Sequence, residues 1–445
     1  MKEHHSIPVT RAQRAGKFIV TGARIGTNYL KHFGRKLVNP EAGKERLHED
    51  NARDIYNSLS ELKGSALKVA QMLSMDKNLL PVAYQQKFAM AQYSAPPLSY
   101  PLVVKTFRST LGKTPDELFD SFTRRAVNAA SMGQVHQAVR NGRRLAVKVQ
   151  YPGVADSVRS DLAMVKPIAL SMFNLNPAEY DEFIQEVESR MLEETDYVLE
   201  LERSVALSKA CAHIPNLVFP EYYPHLSSSR ILTMDWLEGK PLGEVLKKGT
   251  SFSTAQQIGQ AMWDFYHHQM HVLRSVHADP HPGNFILTDD GRLGIIDFGC
   301  VKVIPDDFYS VYFQLLDSSL LHDEPRRDAV FRKLRFVYDD DTSREVKFFT
   351  GLFSELVDLL ARPFRNDTFN FAEQAYFQSL FALGERLAGM KELRQSKKAR
   401  GVRDALYINR TYFGLYNILH DLKAEVKTHA QHIPALNKTA LKRAG

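Results

Sequence analysis

The segment His277-Ala278-Asp279-Pro280-His281-Pro282-Gly283-Asn284, followed by Ile295-Ile296-Asp297-Phe298-Gly299, is the most informative part of this sequence. Two carboxylates and one amide in this order are typical of sites that transfer phosphoryl groups. In such a site Asp279 orients a nucleophile or accepts its proton, while Asn284 and Asp297 bind Mg²⁺ against the phosphates of ATP or ADP. The pattern therefore predicts a catalytic loop and a metal-binding turn.

The residues between these two motifs predict a β-hairpin. Two apolar runs, 285–288 and 293–296, flank a turn at 289–291 that contains glycine. A hairpin returns the chain to the end from which it started, so Asn284 and Asp297 can share one metal ion. An isolated Asp-Phe-Gly tripeptide is more often an ordinary turn, and it is the combination of motifs that favours a functional site.

A site of this kind requires a lysine on a strand far upstream. Residues 134–139 and 145–150 predict two strands joined by the two-residue turn Asn141-Gly142, and Lys148 lies on the second strand. Lys148 would contact the nucleotide phosphates, and it needs an acidic partner on a helix. The acidic segment 181–202, predicted as one helix, supplies several carboxylates, most of which are expected to be a solvated face.

A short strand at 230–235, followed by a turn ending at Gly239, is typical of a hinge between two lobes. The main chain of Met234 and Asp235 would give adenine its hydrogen bonds there. An ordinary edge strand has the same pattern, so this interpretation depends on the order of the motifs.

Residues 128–136, Asn-Ala-Ala-Ser-Met-Gly-Gln-Val-His, lack the glycine-rich pattern of a protein kinase. They resemble the alanine-rich loop of the UbiB family of atypical kinases, called ADCK proteins in animals. Lys68-Val69-Ala70-Gln71 is similar to the Lys-x-Gly-Gln signature of that family, and Glu194-Thr195-Asp196-Tyr197 is similar to its Glu-x-Asp signature. Ala70 in place of glycine and Asn128 at the start of the loop are departures from the family pattern.

The resemblance implies an α+β, bilobal protein kinase-like fold with a small mixed lobe, a large mainly helical lobe and an N-terminal helical extension. It implies further that Lys148 pairs with Glu200 and that Lys68 is held by Glu194 or Asp196. On a continuous helix Asp196 and Glu200 would share a face and Glu194 would not, which favours Asp196 as the neighbour of Glu200. The predicted ranges are 1–45 for a basic leader, 46–110 for the extension, 111–239 for the small lobe and 240–445 for the large lobe.

The predicted site residues fall into three groups. The catalytic residues are Asp279, Lys148, Glu200, Lys68 and Gln71. The nucleotide-binding residues are Ala129, Ala130, Ser131, Gly133, Gln134, Lys148, Met234 and Asp235. The metal ligands are Asn284 and Asp297.

The segment after Gly299 contains no Ala-Pro-Glu motif, with which protein kinases end their peptide-docking segment. Ala278 also stands where protein kinases carry an arginine. These features favour a small-molecule kinase or an ATPase, and the resemblance links it to ubiquinone or other isoprenoid-lipid biosynthesis at a membrane surface. One alternative is a phosphotransferase of the aminoglycoside and choline kinase type, although kinases of that class lack both the Lys68/Gln71 pair and the alanine-rich loop. The other alternative is a non-catalytic nucleotide-binding scaffold.

The composition agrees with a large soluble enzyme, because 24% of the 445 residues are charged and 44% are hydrophobic. Two cysteines favour a reducing cytoplasm, and no apolar run is long enough to span a bilayer. The net charge of +7 is concentrated partly in residues 1–36, a pattern that predicts a basic amphipathic helix for an anionic membrane, a solvated tail or a helix that packs on the domain. Expected partners are the nucleotide, prenyl-lipid or quinone-biosynthesis enzymes and an anionic membrane surface, with no nucleic acid.

Overall fold

A computed structural model describes residues 45–62, 98–129, 132–173, 188–189, 191–390 and 400–428, and the single positions 20, 27, 31, 185, 392, 398 and 433. The chain divides into two compact units. The first comprises Met1–Glu202 and Glu221–Trp236, and the second comprises Arg203–Pro220 and Leu237–Gly445. Residues 203–220 therefore group with the second unit, whereas the predicted lobes were contiguous.

The first unit contains one antiparallel sheet in the order β1-β3-β4-β6, with β2 paired to β3. Its strands are β1 (Ser121–Phe122), β2 (Asn128–Ala129), β3 (Gly133–Arg140), β4 (Arg143–Gln150) and β6 (Ile231–Asp235). Asn141 and Gly142 connect β3 to β4 with left-handed φ values of 50° and 75°. Both residue types tolerate that conformation, so the predicted two-residue hairpin is confirmed.

The helices that begin in the first unit are α1 (Glu45–Leu62), α2 (Tyr100–Leu111), α3 (Pro115–Leu118), α4 (Val154–Phe173) and α5 (Tyr197–Cys211). The prediction of one unbroken acidic helix over 181–202 is wrong, because the chain turns at Thr195 and Asp196 before α5 begins. The Asp196 carboxylate accepts hydrogen bonds from the N–H groups of Val198 and Leu199, both at 3.1 Å. Asp196 thus caps α5, as aspartate commonly does, and the argument from a shared helical face no longer applies.

The second unit contains a four-stranded sheet in the order β5-β10-β9-β7 and two smaller ladders, β8 with β11 and β12 with β13. The strands are β5 (Leu217–Val218), β7 (Gly239–Pro241), β8 (Ser275–His277), β9 (Phe285–Thr288), β10 (Leu293–Ile295), β11 (Val301–Val303), β12 (Thr368–Asn370) and β13 (Glu425–Lys427). Phe285 pairs with Ile295 and Leu287 with Leu293, which confirms the predicted hairpin between the two motifs.

Most of the second unit is helical. Its helices are α6 (Leu242–Lys248), α7 (Phe252–His268), a π-helical turn (Gln269–Leu273), α8 (Asp306–Tyr312), α9 (Glu324–Lys333), α10 (Ser343–Ala361), α11 (Gln374–Gly389) and α12 (Arg403–Asp421). Trp263, Tyr266, Phe298 and Tyr416 are nearly inaccessible to solvent in the core that these helices share. The α+β class is confirmed. Within the described residues, no helix combines the length and apolarity needed to cross a membrane.

Candidate active site

Lys148 and Glu200 form a buried ion pair within the first unit. Lys148 lies in the middle of the sheet, where it pairs with Val135 on β3 and Leu232 on β6. Its Nζ atom donates to both carboxylate oxygens of Glu200, at 2.8 and 3.1 Å. The side chains are 13% and 2% exposed, and Nζ lies 5.1 Å from the centre of the Tyr197 ring. A charged pair this enclosed is held in a fixed geometry by the fold.

Close packing between the sheet and the start of α5 places Glu200 beside Lys148. Gly133 lies so near its neighbours that a Cβ atom there would be 2.6 Å from the Val149 carbonyl oxygen and 2.7 Å from the Tyr197 hydroxyl. Only glycine fits this position. Gln150 Nε2 donates to the Thr195 carbonyl oxygen at 2.7 Å and so ties the end of β4 to the turn that precedes α5.

Gln134, predicted to bind nucleotide, has a fully buried side chain whose amide is used inside the protein. Its Oε1 atom accepts a hydrogen bond from the Leu98 N–H at 2.6 Å, and its Nε2 atom lies 2.8 Å from His136 Nε2. These contacts join β3 to the residues before α2. We therefore assign the Gln134 side chain a structural role.

The predicted hinge residues are also held by protein contacts. Met234 is buried in an apolar cluster, and the Asp235 N–H donates to the Glu221 carbonyl oxygen at 2.8 Å. The Asp235 carboxylate accepts from the Tyr223 hydroxyl at 2.7 Å. The first unit ends directly after this strand, at Trp236. An adenine contact at Met234 and Asp235 stays a prediction.

In the second unit, Asn284 connects the predicted catalytic loop to the predicted metal-binding turn. Its side-chain Nδ2 donates to the Asp279 carbonyl oxygen at 2.9 Å, and its own carbonyl oxygen accepts from the Ile296 N–H at 3.1 Å. The Gly299 N–H donates to Asp297 Oδ1 at 2.8 Å. Asp279, Asn284 and Asp297 are all half-buried. Hydrogen bonds thus bring all three predicted residues to the same end of the hairpin.

Arg410 is a residue of this site that the sequence reasoning missed. Its Nη2 atom lies 2.7 Å from Asp279 Oδ1. Arg410 lies on α12, 131 residues after Asp279 in the chain. No local motif surrounds it in the sequence.

Buried polar residues support the strand that leads into the catalytic loop. Gln269, in the π-helical turn, accepts a hydrogen bond from the His277 N–H at 2.9 Å through its Oε1 atom. The Tyr266 hydroxyl lies 3.1 Å from His277 Nδ1. Burial lowers the pKa of His277, against the opposing influence of the Asp279 and Asp297 carboxylates.

The donor set on the hairpin fits Mg²⁺. Because Asn284 Nδ2 is engaged with Asp279, the amide has a fixed orientation in which Oδ1 is its remaining acceptor. Mg²⁺ prefers oxygen ligands and is usually bound by one or two protein groups together with phosphates and water. Among the described residues no cluster of three or more His, Cys, Asp and Glu side chains could hold a metal ion unaided.

Comparison with known proteins agrees with this geometry. A sequence model of the ABC1 atypical kinase-like domain matches residues 90–329, which is more than half of the chain and includes Lys148, Glu200 and the catalytic loop. The chain belongs to the ABC1 atypical kinase-like family. The resemblance to UbiB proteins is thereby confirmed, and a protein of the aminoglycoside or choline kinase type is disfavoured.

Individual relatives extend the comparison. The chain is 29% identical to an uncharacterized chloroplastic aarF domain-containing protein kinase of Arabidopsis thaliana, over 73% of this chain and 49% of the relative. It is 28% identical to the mitochondrial atypical kinase coq-8 of Caenorhabditis elegans, over 86% of this chain and 49% of the relative. The chain thus spans about half the length of these two curated relatives.

A solved structure confirms the kinase-like fold of this ABC1 family member. The structure is that of a Mycobacterium tuberculosis protein determined as a complex with erythromycin. Its TM-score is 0.60 at 27% identity, and the similarity covers 87% of this chain and 96% of that one.

Four of the predicted site residues, Lys68, Gln71, Ala130 and Ser131, lie outside the described residues. Ala129 contributes its main chain to β2, opposite Gln134. The contact of Lys68 with Glu194 or Asp196 stays a prediction, as does the nucleotide-binding role of the alanine-rich loop.

The buried histidines predict a fall in stability at mildly acidic pH. Burial lowers the pKa of His136, His271 and His277. Below about pH 6.5 the unfolded chain binds more protons at these side chains than the folded protein does, so the free energy of unfolding decreases from pH 7.5 to 5.5. Each histidine contributes at most about 1.4 kcal/mol per pH unit in this window. Carboxylates whose pKa is lowered on folding contribute only near pH 4 and below.

Thermal unfolding temperatures at pH 7.5, 6.5 and 5.5 measure this dependence. His136→Gln should reduce the pH dependence of the unfolding temperature by the contribution of one histidine. The same substitution at the exposed His225 serves as the control. An identical pH dependence in wild type and His136→Gln would contradict the assignment.

Proposed function

We propose that the chain is an atypical kinase or ATPase of the UbiB type that binds Mg–ATP or Mg–ADP. The observation that supports this best is the arrangement around Asn284. One hydrogen bond joins its side chain to the loop that carries Asp279, and another joins its main chain to the strand that precedes Asp297. A turn with a purely structural role would have no need for a carboxylate, an amide and a second carboxylate at one end of the hairpin.

The residues of the site have distinct roles in this proposal. Lys148, fixed by Glu200, binds phosphate oxygens, and Asp279 orients the nucleophile and accepts its proton. Asn284 and Asp297 supply the protein oxygens for Mg²⁺. When bound, Mg²⁺ would neutralise charge on the phosphates. The nucleophile is a small-molecule hydroxyl or water, because Ala278 and the segment after Gly299 lack the features with which protein kinases control and dock peptides.

The proposed biological role is support of ubiquinone or other isoprenoid-lipid biosynthesis at a membrane surface. The family resemblance supports this role, as does the similarity to a mitochondrial coq-8 kinase. Residues 1–36 of the basic leader are the proposed contact with anionic lipid and lie largely outside the described residues. Prenyl lipids and quinone-biosynthesis enzymes are the proposed partners.

Nucleotide-dependent stabilisation tests the proposal directly. A ligand that binds only the folded state stabilises it by about 2.7 kcal/mol at 100 times its Kd. We expect Mg–ADP and Mg–ATP to raise the unfolding temperature by several degrees and EDTA to remove that rise. Released phosphate, measured in the same samples, then separates an enzyme from a non-catalytic scaffold. The absence of any shift at millimolar nucleotide would contradict the proposal.

A further inference from the structure

One face of α12 lies against the catalytic loop and the strand beside it. Asp404 Oδ1 pairs with Lys302 Nζ on β11 at 2.5 Å. One turn later, Tyr407 forms a buried cluster with Ala278 and Cys300. The Ala278 N–H donates to the Cys300 carbonyl oxygen at 2.9 Å, so Tyr407 covers the point where the loop and β11 meet.

The same face continues to Asp279 and Pro280. Arg410 pairs with Asp279 at 2.7 Å. A Cβ atom at Gly414 would lie 3.0 Å from the Pro280 carbonyl oxygen, so the helix backbone approaches the loop closely there. Positions 404, 407, 410 and 414 are spaced by three or four residues and therefore fall on one side of a helix. Successive positions on this face of α12 therefore lie against successive residues of the loop, from Ala278 through Asp279 to Pro280.

The groups around Asp279 differ in charge. Arg410 is permanently cationic. Burial raises the pKa of Tyr266 well above its ordinary value and lowers that of His277, so both neighbours are neutral. Among Arg410, Tyr266 and His277, Arg410 is therefore the group whose positive charge compensates the negative charge of Asp279.

We propose that Arg410 is a positioning residue, which holds the Asp279 carboxylate in the orientation needed to engage the nucleophile. Asp279 is then fixed at two points. Asn284 holds its main-chain oxygen and Arg410 holds its side chain, at 2.9 and 2.7 Å. Although Ala278 replaces the arginine of protein kinases, a guanidinium still reaches this loop, from a helix that lies beyond the family match at 90–329.

This inference rests on the proposed function for its catalytic consequence. Displacement of a catalytic group by about 1 Å can cost roughly 100-fold in rate. We expect Arg410→Met to lower kcat for nucleotide hydrolysis about 10- to 100-fold, while KM for Mg–ATP changes less than about twofold because Asn284 and Asp297 are untouched. Arg410→Lys should recover part of kcat, since it keeps the charge but loses the planar fork of donors.

Two controls separate positioning from general stability. Arg386→Met removes another arginine–carboxylate pair of the second unit, the exposed one with Glu355, and should leave kcat unchanged. In an Asp279→Asn background Arg410→Met should have little further effect on kcat, because the two residues act as a unit. Equal losses from Arg410→Met in both backgrounds would overturn the inference.

A second readout does not require activity. Hydrogen exchange of the peptide spanning residues 277–285 should accelerate in Arg410→Met and stay at the wild-type rate in Arg386→Met. If wild type binds no nucleotide, the proposed function fails, and accelerated exchange still supports the positioning of the loop by Arg410. The inference is overturned if hydrogen exchange in Arg410→Met is unchanged, or if exchange is accelerated while kcat stays at the wild-type value. Either result counts even where nucleotide binding is normal.

Discussion

Asp297→Asn is expected to weaken Mg²⁺-dependent nucleotide binding by about 100-fold or more, because loss of even an outer-shell partner costs 10- to 100-fold in metal affinity. Asparagine keeps the size of the side chain and an Oδ1 atom that can accept the Gly299 N–H, the bond that measures 2.8 Å in the structure. The turn should therefore stay folded. What the variant loses is the negative charge that a divalent cation needs.

Titration of a fluorescent ADP analogue, with Mg²⁺ and again with EDTA, measures the effect. Wild type in EDTA and the variant in Mg²⁺ should bind with similar, weak affinity. Asp289→Asn makes the same chemical change in the turn of the same hairpin and serves as the matched control. Wild-type affinity in Asp297→Asn would remove Asp297 from the set of metal ligands.

The elements that were predicted correctly are those that local chemistry specifies. Asn141-Gly142 favours a two-residue turn, and the apolar runs around Gly291 favour a hairpin, whatever the rest of the chain does. Each hairpin then fixes where its flanking residues lie. The positions of Lys148 and Asn284 follow from these local patterns.

The wrong predictions and the omissions concern interactions that a local sequence pattern does not contain. In some of them a side chain competes for the hydrogen bonds of main-chain N–H groups, and in others the partner lies far away in the sequence. The helix break before Tyr197 depends on a short side chain that bonds main-chain N–H groups, and acidic composition alone did not reveal it. The nucleotide-binding role of Gln134 stays a prediction, but the loop pattern did not reveal that its side-chain amide is engaged by Leu98 and His136. Arg410 and Asp279 lie 131 residues apart in the chain, so no short window of sequence contains both.

The buried pair of Lys148 and Glu200 gives the second large expected effect. Removal of one partner from a buried ion pair costs about 3–5 kcal/mol, because the remaining charge is left unpaired in a poorly solvated place. Lys148→Met should therefore lower the free energy of unfolding by about that amount as well as weaken nucleotide binding. Urea denaturation followed by tryptophan fluorescence and circular dichroism measures the first effect, and nucleotide titration measures the second.

A double replacement separates the two roles of this pair. In Lys148→Met/Glu200→Met the unpaired charge is gone, and well-packed apolar side chains often replace a buried pair without loss of stability. We expect the double variant to recover most of the stability and none of the nucleotide affinity. The exposed pair of Arg143 and Glu221, at the same 2.8 Å separation in the same unit, is the control, and Arg143→Met should change stability much less. If the double variant bound nucleotide like wild type, Lys148 would have only a structural role.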